Sequence, residues 1–161
     1  MDVRIHAVTM EEALRCAREM AASGEEHIIA TANAEMVMIA QEDKELAYVL
    51  NHCSLVVPDG AGILWAGEQL GTYLPARVAG ADYAEGILKV AVKEKWPVYF
   101  LGGAPGVAET AIRRFTERYG LFEKAGFHDG YFDEMEEQKI VEEIKSGGTK
   151  VLLCGMGVPK Q

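Results

Sequence analysis

The chain contains no apolar run approaching the roughly 20 residues of a helical membrane span, and its first residues lack the pattern of a signal peptide. Basic residues are also scarce: 16 Lys and Arg against 25 Asp and Glu give a net charge of −9. A phosphate backbone needs a basic face, so nucleic acid is not expected as a partner. The cysteines Cys16, Cys53 and Cys154 are odd in number and lack metal-ligand spacing. They read as reduced, half-buried thiols of a cytosolic protein. His6, His27, His52 and His128 show no ligand spacing either, and no Asp-x-Asp pair is present to hold a divalent ion. A metal site is therefore not expected. No Lys-Ser/Thr follows the glycine-rich turn at 102–106, which removes the lysine that P-loop nucleotide hydrolysis requires. Gly-x-Ser-x-Gly and a plausible Cys–His nucleophile are missing as well.

What is present suits one soluble domain, with 49% apolar residues and enough length to bury a core. Helix and strand signals alternate. Thr9 and Glu12 form a capping box for a helix over 9–20, ended at Ser23 and Gly24. Strands are expected at 27–31, 54–57, 97–101, 121–127 and 150–154, the fourth weakened by Glu123 and Lys124. Helices are expected at 34–40, 43–51, 61–70 and 81–95, then from Pro105 in a first turn to Tyr119, and over 133–145. Short apolar strands separated by helices predict an α/β fold: one mostly parallel sheet with helices on both faces, in a single domain over 1–161. The polar and glycine-bearing segments all follow strands, so they are expected on one edge, where open α/β sheets bind ligands.

Asp59, between Pro58 and Gly60 at the end of a strand, can act as a general base, although Pro-Asp-Gly is also ordinary turn chemistry. Thr31 and Asn33 offer a hydroxyl and an amide after the first strand; for Asn33, capping the next helix is the commoner role. Arg77 lies in a Pro- and Gly-containing loop, where its fork suits a diphosphate as well as a salt bridge. Gly102 and Gly103 open a turn through which a ligand can approach the backbone, ahead of a helix N-terminus that favours anions. Tyr131, beside His128, can pack on a base or fill core. Lys160 and Gln161, past a Gly-x-Gly turn, can reach a ligand or fray. The sequence stops directly after a strand-like run, which reads as a domain continuing beyond these residues.

The segments Thr31-x-Asn33-x-Glu35, Pro58-Asp59-Gly60-x-Gly62, Arg77-Val78-x-Gly80-x-Asp82 and Gly155-x-Gly157-x-Pro159-Lys160-Gln161 occur in a characteristic order and spacing. With "VYFLGGAPGVAE" and "HDGYF" between them, the chain resembles the WecG/TagA/CpsF glycosyltransferases (glycosyltransferase family 26), most of all the TagA branch of Gram-positive bacteria. The resemblance implies a Rossmann-like fold of the family's own type. It also implies inverting, metal-independent transfer of N-acetylmannosamine from UDP-ManNAc to the 4-hydroxyl of GlcNAc on undecaprenyl diphosphate, the linkage unit of wall teichoic acid. The UDP-sugar is a substrate and no cofactor is implied. The family's catalytic base falls on Asp59 and its active-site threonine on Thr31, while Asn33, Arg77 and Gln161 match pocket positions. Gly102, Gly103 and Tyr131 are further candidates for the nucleotide. A C-terminal segment beyond Gln161 is expected to carry basic residues that meet the lipid diphosphate. That makes the protein cytoplasmic and peripheral at the inner face of the cell membrane. A non-catalytic nucleotide-binding domain, a dinucleotide-binding domain and a relative using ManNAc uronic acid or glucose are the competing readings, and apolar helix faces leave room for a homo-oligomer.

Overall fold

Seven helices and five strands alternate along the computed structural model, which describes residues 3–158. In order they are α1 (Met10–Ser23), β1 (Ile29–Ala32), α2 (Ala34–Glu42), α3 (Lys44–His52), β2 (Leu55–Pro58), α4 (Ala61–Gln69) and α5 (Gly80–Glu94). There follow β3 (Val98–Gly102), α6 (Val107–Tyr119), β4 (Lys124–His128), α7 (Glu134–Ser146) and β5 (Val151–Gly155). Every strand pairing is parallel, giving the α/β, Rossmann-like arrangement that the alternation predicts. The chain divides into two compact units, Met1–Gly86 and Ile87–Gln161, with the boundary inside α5. Among the described residues no helix is long and apolar enough to cross a membrane.

Local chemistry explains where the helices begin. Thr9 and Glu12 complete the expected capping box of α1, and Gly24 ends that helix in the left-handed conformation at φ 80°. Asp43 accepts from the amides of Glu45 and Leu46 to start α3, and Asp133 and Glu136 form a second capping box at α7. Pro105 was expected in the first turn of α6, but that helix starts at Val107. Gly106, at φ 83°, serves as its cap, and the left-handed residue separates Pro105 from the helix. The strand expected over 121–127 forms only from Lys124, and Leu121 is exposed.

The first unit holds β1 and β2 side by side, with Ala32, Cys53 and Val56 packed together. Burial pushes the Cys53 thiol up from its ordinary value. Tyr83 is buried, and its hydroxyl donates to the Ala13 carbonyl at 2.8 Å. The free side of β2 is closed by His6: its amide donates to the Val56 carbonyl at 2.8 Å, and its Nδ1 accepts the Val56 amide at 2.9 Å.

The second unit holds a three-stranded sheet in the order β4-β3-β5. Central β3 is buried at Val98, Tyr99 and Phe100, and the core adds Leu88, Ala91, Ala108 and Phe115. Tyr99 is fully buried, yet its hydroxyl reaches a Glu143 carboxylate oxygen at 3.1 Å. Burial first, then that carboxylate, push the phenol up to about 12. One continuous sheet was expected; the described strands instead form two separate sheets, of two and three strands.

Candidate active site

The register of the first unit sets Thr31 opposite Val57 and Ala32 opposite Pro58, so Thr31, Asn33 and Asp59 share the carboxyl edge of this strand pair. The Asp59 amide donates to the Ala32 carbonyl at 2.9 Å, which fixes the turn after β2. The Pro58 carbonyl accepts the Val78 amide at 2.8 Å, and this bond lays the loop before α5 across the end of the strand. Asp59 Oδ2 then accepts the Gly80 amide at 3.0 Å. Its Oδ1 faces Arg77 Nε at 3.8 Å, with the two side chains 27% and 57% exposed respectively. An ion pair that long and that open to solvent contributes little stability. Arg77 therefore stays available to an anion while standing beside the carboxylate.

Gly80 is the residue that sequence reasoning passed over. A Cβ built on it would lie 2.9 Å from Thr31 Oγ1 and 3.2 Å from Asp59 Oδ2. The hydroxyl and the carboxylate thus wall the same small space. The signal was present in Arg77-Val78-x-Gly80-x-Asp82, but nothing in a linear motif says what a glycine is making room for.

Asn33 is half-buried and caps α2, its Oδ1 accepting the Met36 amide at 2.8 Å. That matches the commoner of its two expected roles and leaves its NH₂ group outside the cap bond. Gly60 sits at φ 91° and offers α4 no side-chain cap, so the helix begins with bare amides of the kind that attract anions. A Cβ on Gly62 would come within 3.0 Å of Ala34 Cβ, so the two glycines of Pro58-Asp59-Gly60-x-Gly62 serve a turn and a close helix approach. A concavity in this unit, about 490 Å³, lies between α4 and the turn after it. Leu64, Trp65, Tyr73 and Leu74 line it, and it includes none of the residues singled out above.

The second unit builds its own carboxyl edge from Gly102, Gly103, Gly130, Tyr131 and Gly155. Leu101 is level with His128 and Cys154, and Gly102 with Gly155. The Gly103 amide donates to the Gly155 carbonyl at 3.1 Å, and the Gly103 carbonyl accepts the Gly130 amide at 2.8 Å. At φ 125°, Gly102 holds a conformation that side chains rarely adopt, and a Cβ there would run into the Gly155 backbone. Tyr131 is 73% exposed, which removes the core-filling option, whereas Phe132 packs edge-on against His128. The Asp129 carboxylate accepts the Tyr131 amide at 2.8 Å and shapes that turn. Burial pushes the Cys154 thiol up from its ordinary value. Lys160 and Gln161 lie outside the described residues. Among those residues no group of His, Cys, Asp and Glu side chains is arranged to hold a metal ion.

A protein of Staphylococcus aureus (strain NCTC 8325 / PS 47), named N-acetylglucosaminyldiphosphoundecaprenol N-acetyl-beta-D-mannosaminyltransferase, is 33% identical over 133 residues, covering 83% of this chain and 52% of its own length. A protein of the same name from Bacillus spizizenii (strain ATCC 23059 / NRRL B-14472 / W23) is 29% identical over 133 residues, covering 83% of this chain and 51% of its own length. The chain spans about half the length of the curated relatives it matches. The family model described as "Glycosyl transferase WecG/TagA/CpsF family" matches residues 1–161, and the chain belongs to that glycosyltransferase family.

Proposed function

We propose that the protein transfers N-acetylmannosamine from UDP-ManNAc to the 4-hydroxyl of GlcNAc on undecaprenyl diphosphate, with inversion and without a metal. The observation that carries this reading is the Asp59 carboxylate, held at the end of β2 by the Gly80 amide with Thr31 across the same space. The named activity of the relatives supports the choice of sugar and acceptor.

In this mechanism Asp59 accepts the proton of the acceptor hydroxyl as its oxygen attacks the anomeric carbon. The bond from that carbon to the UDP oxygen breaks on the opposite face, and UDP leaves with the electron pair. Attack opposite the leaving group turns an α-linked donor into a β-linked product. General-base assistance of this kind is worth about 10²–10⁴-fold. Charge on the departing diphosphate is met by fixed donors, for which Arg77 and backbone amides are the candidates in this chain. The glycine edge of the second unit suits close approach of a nucleotide, and exposed Tyr131 offers a face on which a base can stack.

The acceptor is a membrane lipid, so the enzyme works at a membrane surface.

The test is a transfer assay on the protein at its natural length, using a short-chain polyprenyl-diphosphate-GlcNAc acceptor and UDP-ManNAc, UDP-ManNAc uronic acid or UDP-glucose. Acceptor-dependent release of UDP from UDP-ManNAc alone supports the reading. Release from another donor reassigns the sugar, and nucleotide binding without acceptor-dependent release sinks the transferase.

A further inference from the structure

Gly80 sits at the first position of α5, outside the set of glycines with positive φ. Its backbone is therefore one that any residue can adopt, and alanine is the better helix former. Conformation gives no reason for a glycine here. Space does: a Cβ would stand 2.9 Å from Thr31 Oγ1, 3.2 Å from Thr31 Cβ and 3.2 Å from Asp59 Oδ2. The first contact is shorter than real Cβ atoms tolerate, and Thr31 sits on a strand paired in register, so its backbone has little room to retreat. The same residue donates its amide to Asp59 Oδ2 at 3.0 Å.

We infer that Gly80 is a positioning residue for the transfer reaction: its amide fixes one oxygen of Asp59, and its missing side chain lets the Thr31 hydroxyl and the Asp59 carboxylate wall one reaction space. The inference rests on Asp59 acting as the base. With Oδ2 held by the amide, Oδ1 is the oxygen turned toward Arg77. A methyl group at position 80 pushes on both side chains at once and shifts the carboxylate from the line of the acceptor hydroxyl.

The experiment compares Gly80→Ala, Gly80→Ser and Asp59→Asn in the protein at its natural length, reading kcat, KM for the UDP-sugar and the melting temperature. Gly80→Ala is expected to lower kcat by about ten- to a hundredfold, since displacing a reacting group by about an ångström costs up to about 10²-fold. KM for the UDP-sugar should stay within about twofold, and the melting temperature should fall only slightly, because the added methyl crowds Thr31 while alanine favours the helix. Gly80→Ser should lose more activity than Gly80→Ala. A merely structural role predicts activity that falls only in proportion to the folded fraction, and that result overturns the inference. Normal turnover by Gly80→Ala beside a dead Asp59→Asn overturns the positioning role and leaves the base standing. Normal turnover by Asp59→Asn removes the base and the inference with it.

Discussion

The carboxyl edges of the two units are built from different materials. In the first, side chains do the arranging: Asn33 caps a helix, Asp59 takes an amide from Gly80, and Arg77 and Thr31 stand beside the carboxylate. In the second, backbone meets backbone, with Gly103 bonded to both Gly155 and Gly130 and hardly a side chain between them. Edges made of side chains can hold and move protons. Edges made of glycine provide room and amides, which suits holding a ligand more than transforming it.

Mutations can break or sharpen that contrast. The largest effect belongs to Asp59→Asn, which keeps an oxygen for the Gly80 amide but no longer accepts a proton at neutral pH. Transfer should fall by about 10²–10⁴-fold in a steady-state assay, with UDP affinity by calorimetry unchanged. If UDP affinity falls equally, the division between a reacting edge and a holding edge is lost. Next comes Gly102→Ala, which meets both an unfavourable φ and the Gly155 backbone. It should cost about 1–3 kcal/mol or more in urea unfolding. A neutral result would mean that the close backbone approach in the second unit is not rigid.

Tyr131→Ala should weaken UDP binding by about tenfold, the order expected for losing one aromatic stack on a base. Stability should move by no more than about 0.5 kcal/mol, because the ring is exposed. Asn33→Ala is the smallest: losing the α2 cap should cost about 1 kcal/mol in urea unfolding. A kcat loss beyond the unfolded fraction would show that the Asn33 amide also meets substrate, adding it to the reacting edge.

Much of this was legible in the residues themselves. The capping box at Thr9, the parallel α/β alternation and the strand-end position of Asp59 follow from local patterns of one or two turns. What was hidden depends on contacts between distant residues. Apolar periodicity tells which residues face a core but not which strand edges meet, so two sheets could not be told from one. The expected strand start at residue 121 failed because Leu121 is apolar without being buried. Gly80 read as the end of the loop before a helix, and its neighbours Thr31 and Asp59 come 49 and 21 positions earlier. A one-dimensional reading has no access to that proximity.

His6 answers both hydrogen-bonding groups of Val56 on the open side of β2, one with its own amide and one with its ring. An uncovered strand margin is adhesive, because it can recruit any extended peptide that passes. A ring nitrogen in place of a carbonyl satisfies the margin and then ends the pattern, offering no further ladder for a stranger to extend. The imidazole works as a selvage: it finishes the woven edge so that the cloth neither unravels nor catches on its neighbours.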